Sequence, residues 1–333
     1  MQLKERCIEL TEALGLGRAD QVSLARPLTG GVASDIAEVQ AGNLHLCMKF
    51  ALPKLRVQEE WLAPVHRNKA EYAWLTYVRG IAPENTPELF GRSDSMNGFA
   101  MEYLSGNDIY LWKDALLAGK PGRGEAAAVA DLLGTVHAAS TKPDFDATPF
   151  WNRDDFRALR IEPYLLFTAT KYPDLSSHLN RLAEGLYAAK TALVHGDVSP
   201  KNIILRDKRP VILDAECATM GDPCFDVAFC LNHLLLKSVH MPECKSDLMS
   251  DLMSFRDVYL RHVDWEDPDA FEGRVAALLP ALFLARVDGK SPVDYLDHAG
   301  REKVRRIAIP LIRTAPPRLS DIVETLLSDR NEP

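Results

Sequence analysis

Alternation of apolar and polar positions dominates the first third of the chain. VSLARPL (22–28), DIAEVQA (35–41) and LHLCMKFA (44–51) have the period-two patterning of strands. Gly42-Asn43 supplies a tight turn between the second and third, and Thr29-Gly30-Gly31 separates the first two. A helical pattern follows over 66–79, with Ala70, Trp74, Leu75 and Val78 on one face. ELFGRS and GFAMEYL predict two further strands joined by Asp-Ser-Met-Asn, and Ser105-Gly106-Asn107 then breaks the chain. Beyond that break the period changes to that of helices, near 109–118, 123–140, 175–190, 225–238, 245–262, 269–287 and 298–313. The exception is a strand hairpin around 203–213. The pattern predicts an α+β protein: a small lobe (1–103) with a five-stranded antiparallel sheet and a helix, and a larger, mainly helical lobe (104–333).

Composition narrows the picture. The 333 residues are 47% hydrophobic and 26% charged, ordinary for a globular chain able to bury a sizeable core. A formal net charge of −8 speaks against a nucleic-acid partner. No apolar run has the length of a membrane span. The N-terminal MQLKERCIELTEALGL reads as an amphipathic helix without the continuous apolar core of a signal peptide. The six cysteines are scattered with no CxxC pair, which argues against zinc and for buried thiols in a reducing, cytoplasmic setting.

The chemistry is concentrated in VHGDVSPKNIILRDKRPVILDAE (194–216). A carboxylate, Asp197, is followed five residues on by Asn202, then by two short apolar runs that end at Asp214-Ala215-Glu216. Phosphoryl transfer from a nucleotide needs one carboxylate beside the attacking hydroxyl and oxygen ligands for magnesium. Asp197 is the candidate catalytic group, with Asn202 and Asp214 as metal ligands. Glu216 shares Asp214's face if the backbone stays extended, and is a second candidate ligand. His195 is expected to fix the loop that carries Asp197, and Asp226, at the start of a helix, to accept loop amides or cap its own helix.

In the first lobe Lys49 ends an apolar strand. A lysine on an inward face needs an anionic partner. Nucleotide phosphates would serve, with Glu71 on the following helix holding the ammonium. The stretch from Thr29 through Gly30 and Gly31 to Ser34 is a candidate phosphate-covering loop. Met101, Glu102 and Tyr103 stand where a hinge would read an adenine edge.

HGDVSPKN, ILDAE and GDPCFDVAF together resemble the aminoglycoside phosphotransferase and choline kinase superfamily. The resemblance implies a bilobal protein-kinase-like fold and phosphorylation of a small-molecule hydroxyl with ATP and Mg2+. It also implies Asp197 as base, Asn202 and Asp214 on the metal, and Lys49 on the phosphates. Three further segments are similar to the 5-methylthioribose kinases: MKFALPKLRV with Trp61 after it, DAE followed by Gly221, FD and LNHLLLK, and VRRIA with Arg305 and Arg306. Trp61, Arg305 and Arg306 thereby become candidate substrate residues. Adjacent helical residues diverge by about 100°, so at most one of the two arginines is expected to reach the acceptor.

The expectation is a small-molecule kinase, for a sugar or methylthioribose-like sugar, with a homodimer as the candidate assembly. The alternatives are an aminoglycoside phosphotransferase, for which DWEDPDAFE (264–272) offers acids, and a choline or amino-alcohol kinase, which would need an aromatic cage. A non-catalytic nucleotide-binding regulator would be favoured only by loss of Lys49, Asp197, Asn202 or Asp214, all of which are present. Residues 217–224 are too few for a peptide-docking activation segment, which disfavours a protein substrate.

Overall fold

A computed structural model describes residues 2–28, 34–52, 65 and 67–329. The chain forms two compact units, Met1–Ile109 with Leu213–Cys217, and Tyr110–Ile212 with Ala218–Pro333. The backbone therefore leaves the second unit for five residues, and those five include Asp214 and Glu216.

The first unit holds α1 (Leu3–Ala13), β1 (Val22–Pro27), β2 (Ser34–Ala41), β3 (Leu44–Ala51), α2 (Arg67–Ile81), β4 (Leu89–Ser93) and β5 (Gly98–Glu102). Its strands make one antiparallel sheet in the order β1-β2-β3-β5-β4. Strand alternation sorts β3 into two faces. Leu46, Met48 and Phe50 join Cys7 and Leu10 of α1 in a closed apolar cluster with Ala37, Val39, Ala41 and Ala100. Lys49 points the other way and is nevertheless 3% exposed.

The second unit is built from α3 (Trp112–Leu117), α4 (Glu125–Ser140), α5 (Arg153–Phe156), a π-helical stretch (Arg157–Leu166), α6 (Phe167–Lys171), α7 (Ser176–Ala188), α8 (Cys224–His240), α9 (Lys245–Leu260), α10 (Pro268–Asp288), α11 (His298–Thr314) and α12 (Leu319–Ser328). Its short strands are β6 (Ile109–Leu111), β7 (Ala192–Val194), β8 (Ile203–Arg206), β9 (Arg209–Ile212) and β10 (Thr219–Gly221). They pair as β6-β8-β9 and β7-β10. The hairpin β8–β9 turns at Asp207-Lys208, both with positive φ (51° and 67°), as a two-residue type I′ connection requires. Helix α8 is apolar nearly all round, and its residues Cys224–Val239 are buried, packed by α9, α10 and α11.

Two stretches depart from the sequence pattern. The helix expected over 109–118 begins as strand: Ile109, Tyr110 and Leu111, good strand formers, add an edge to β8, and the helix starts at Trp112. Residues 153–171, read as no element, form a continuous helical stretch whose ten central residues are π-helical and contain Pro163. All six cysteines are free and buried. No described helix is long and apolar enough to cross a membrane.

Candidate active site

In the first unit the site grows out of Lys49. Its Nζ lies 2.7 Å from Glu71 Oε2 and 3.3 Å from Glu216 Oε1, and it donates a short hydrogen bond to Asp214. Burial opposes the charge on this ammonium, but Asp214, Glu71 and Glu216 together outweigh it and hold its pKa well above the usual lysine value. Burial of Glu71, with the charges of Asp214 and Glu216 nearby, pushes its carboxyl upward against the pull of Lys49.

Each carboxylate is separately anchored. Glu71 Oε1 accepts the Asp214 backbone N–H at 3.1 Å. Glu216 accepts from Ser34 Oγ at 2.5 Å and from Arg67 Nε at 2.7 Å. Arg67 in turn donates to the Leu52 carbonyl at 2.8 Å. Asp214 differs from its neighbours. Its side chain is 35% exposed, and its backbone sits at φ +71°, a left-handed conformation that a non-glycine residue adopts at some strain.

Oxygens of Glu71, Asp214 and Glu216 all fall within 4.8 Å of one another. Three carboxylates around one accessible edge form a hard-oxygen donor set that suits magnesium. Asp214 is the most open of the three, while both Glu216 oxygens are engaged by protein donors.

Met101 is buried on β5. The N–H groups of Glu102 and Tyr103 are spent on the carbonyls of Glu88 (2.8 Å) and His45 (3.0 Å). Gly30, Gly31 and Trp61 lie outside the described residues.

In the second unit the site is a loop held from beneath. Asp226, at the start of α8 and fully buried, accepts the N–H of His195 at 2.6 Å and that of Gly196 at 2.8 Å. His137 reaches the same carboxylate at 3.3 Å and meets Tyr259 OH at 2.6 Å through its other nitrogen. His195 Nδ1 accepts the Asp197 N–H at 3.1 Å. Gly196 has φ +83°, which lets the loop turn sharply before Asp197. The carboxylate of Asp197 meets two cations, Arg160 at 3.1 Å and Lys201 at 3.2 Å. Asn202 Nδ2 donates to the Asp197 carbonyl at 3.0 Å, which turns the amide so that its oxygen stays available to a ligand.

Arg160 was not visible in the sequence. It lies in the π-helical stretch and also donates to the carbonyls of Gly196 and Leu159. Such distortions of a helix often mark functional sites. Arg67, which fixes Glu216, was missed as well, and Ser34, expected in a phosphate-covering loop, donates to Glu216.

The two late arginines diverge. Arg305 is tied to Asp288 at 2.6 and 2.8 Å, with Tyr172 on the same carboxylate at 2.6 Å, and Arg306 turns to Asp329 at 2.9 Å. Four of the five acids of 264–272 are occupied as well. Asp264 binds Lys142, Glu266 binds Arg274, Glu272 binds Arg256, and Asp267 caps α10.

The antiparallel sheet with its helix, followed by a mainly helical unit whose catalytic-type loop hangs from a buried aspartate, defines a protein-kinase-like fold. Solved structures agree on the fold. A choline/ethanolamine kinase family protein from Mesorhizobium loti superposes with a TM-score of 0.56 at 17% identity, over 97% of this chain and 98% of that one. Ethanolamine kinase of Plasmodium vivax does so with a TM-score of 0.56 at 12% identity, over 93% and 89%.

The profile of the phosphotransferase enzyme family matches residues 25–241, more than half of the chain, and the chain belongs to that family. It is by class a small-molecule kinase. Among curated relatives, methylthioribose kinase of Yersinia enterocolitica is 26% identical over 309 residues, spanning 78% of this chain and 75% of that protein. Methylthioribose kinase of Yersinia pseudotuberculosis is 24% identical over 349 residues, spanning 89% and 82%.

Proposed function

We propose that the protein transfers the γ-phosphoryl group of ATP, with Mg2+, to a hydroxyl of a small molecule, and that the acceptor is a sugar or a sugar derivative. The observation that carries this is Lys49. It is a buried ammonium ringed by three carboxylates, a cluster whose exposed member, Asp214, suits a metal ion and whose cation suits phosphate oxygens. The names of the curated relatives support the choice of sugar.

In this reading Lys49, oriented by Glu71, takes the nucleotide phosphates. Asp214 and Asn202 would supply oxygens to magnesium, with Glu216 beside Asp214. Bound magnesium would neutralise charge on the phosphates. Asp197 orients the acceptor hydroxyl and receives its proton as the new O–P bond forms and the bond to ADP breaks. The tether from Asp226 to the loop keeps Asp197 in place, so most of the acceleration comes from positioning.

The test is coupled ADP release by the purified protein with MgATP over sugars, methylthioribose among them. Asp197→Asn is expected to lower kcat by about a thousandfold and leave MgATP binding in place. Undiminished turnover in that variant would remove Asp197 from its role, and absence of MgATP binding by the wild type would remove the function.

A further inference from the structure

A second set of buried charges lies wholly within the helical unit and takes no part in the chemistry described so far. Lys237 follows His233 by one turn of α8, so the two share a face. Lys237 is 2% exposed, and its ammonium makes neither a hydrogen bond nor an ion pair among the described residues. Its Nζ lies 5.5 Å from the centroid of the Tyr295 ring. The Tyr295 hydroxyl is itself buried without a hydrogen-bond partner, and so is Nε of Arg286, near the end of α10. Arg286 spends another nitrogen on neutral groups, Tyr164 OH at 3.3 Å and Ser291 Oγ at 3.0 Å, and has no carboxylate among the described residues.

Electrostatics agree with the geometry. Burial, then the charges of Lys113 and Arg286, bring the Lys237 ammonium down to about 8, and no carboxylate among the described residues acts on it. Burial and the charges of Arg286, Lys237, Lys201 and Lys113 push His233 well below the usual histidine range, so it stands as a neutral ring among cations. A buried ammonium without a counter-ion is costly, and an anion supplied from outside would relieve that cost. Lys201, whose charge is felt at His233, has its Nζ 3.2 Å from Asp197 Oδ2.

We infer that Lys237, Arg286 and the Tyr295 hydroxyl form an anion subsite for the phosphoryl acceptor, which therefore carries a carboxylate or a phosphate ester besides its reacting hydroxyl. This rests on the phosphotransferase function proposed above and narrows its substrate class. Methylthioribose is neutral and aminoglycosides and choline are cationic, so all three leave the subsite unfilled.

The experiment compares kcat/KM for acceptors matched except in charge: glycerate with glycerol, gluconate with glucose, and ribose 5-phosphate with ribose. Methylthioribose, choline and kanamycin complete the panel. The anionic partner is expected to lead by about tenfold or more, the carboxylate pairs and the phosphate pair telling the two sources apart. Lys237→Gln is expected to remove that lead by raising KM, with kcat little changed. A second measurement needs no turnover: phosphate or citrate, at ionic strength matched with NaCl, should raise the Tm of the wild type but not of Lys237→Met. Preference for neutral or cationic acceptors, with KM untouched in Lys237→Gln, would overturn the subsite and leave the phosphotransferase standing. Lack of turnover across the panel, together with lack of a Tm shift by MgATP, would overturn both.

Discussion

Two buried lysines, one in each unit, have opposite surroundings. Lys49 has three carboxylates on it and is held charged, whereas Lys237 has none among the described residues and is pushed toward neutrality. They are equally hidden from water, at 3% and 2% exposure, so burial does not separate them. What separates them is whether the chain supplies the anion. A cation with internal partners is a structural member that a ligand can borrow. A cation without them gains most from an anionic ligand.

The comparison breaks most sharply by substitution at the better-paired residue. Lys49→Met would strand Glu71, Asp214 and Glu216 against one another, and a loss of about 3–5 kcal/mol in unfolding free energy is expected from urea titration. Magnesium chloride should restore part of that loss, and a Tm indifferent to magnesium would argue against the carboxylates as a metal-binding set.

Lys237→Met should have the opposite sign. Removing an uncompensated ammonium is expected to stabilise the protein by up to about 3 kcal/mol near neutral pH. The pH dependence follows from the lowered value. Between about 8 and the ordinary 10.5 the unfolded chain still binds the proton and the folded chain does not, so wild-type stability rises across that interval. Lys237→Met lacks the rise, so the difference in Tm should be widest at pH 7 and close toward pH 10. A constant difference would mean that Lys237 has a hidden partner.

The smallest effects are expected at the late arginines: Arg305 is itself 28% exposed, and its buried partner Asp288 keeps the Tyr172 hydroxyl. Arg305→Ala should cost about 1 kcal/mol or less, and Arg306→Ala, with a side chain 60% exposed, still less. A KM effect from Arg305→Ala well beyond that of Arg306→Ala would give Arg305 a place at the acceptor.

Much of this arrangement was legible in the sequence because strand and loop spacing encode it. LHLCMKF places Lys49 opposite Met48 and Phe50 by alternation alone, and the five-residue interval from Asp197 to Asn202 is a property of one loop. Residues that act through tertiary contact were not legible. Arg160 lies in a stretch whose Pro163 obscures any helical period, and its role depends on a π-helical backbone that local propensity does not announce. Arg67 stands at the start of α2 and looks like a solvated helix end, yet its side chain is wholly buried against Glu216. Lys237 stood in plain view within LNHLLLK, but a helix apolar on every side gives no periodicity from which to infer that its last cation is buried. Residues 305 and 306 look like a pair in sequence, and the 100° step between helical neighbours sends them to different acids.

The concealed thiols have a practical use. Burial raises the pKa of Cys7 to about 11 and of Cys47 to about 12 in the sheet unit, and lifts those of Cys224 and Cys230 in the helical unit. Thiolate reacts and thiol does not, so an alkylating reagent should label these sulfurs only when the surrounding structure opens. Because the six cysteines fall in both units, peptide mapping of labelled positions gives a separate clock for the opening of each.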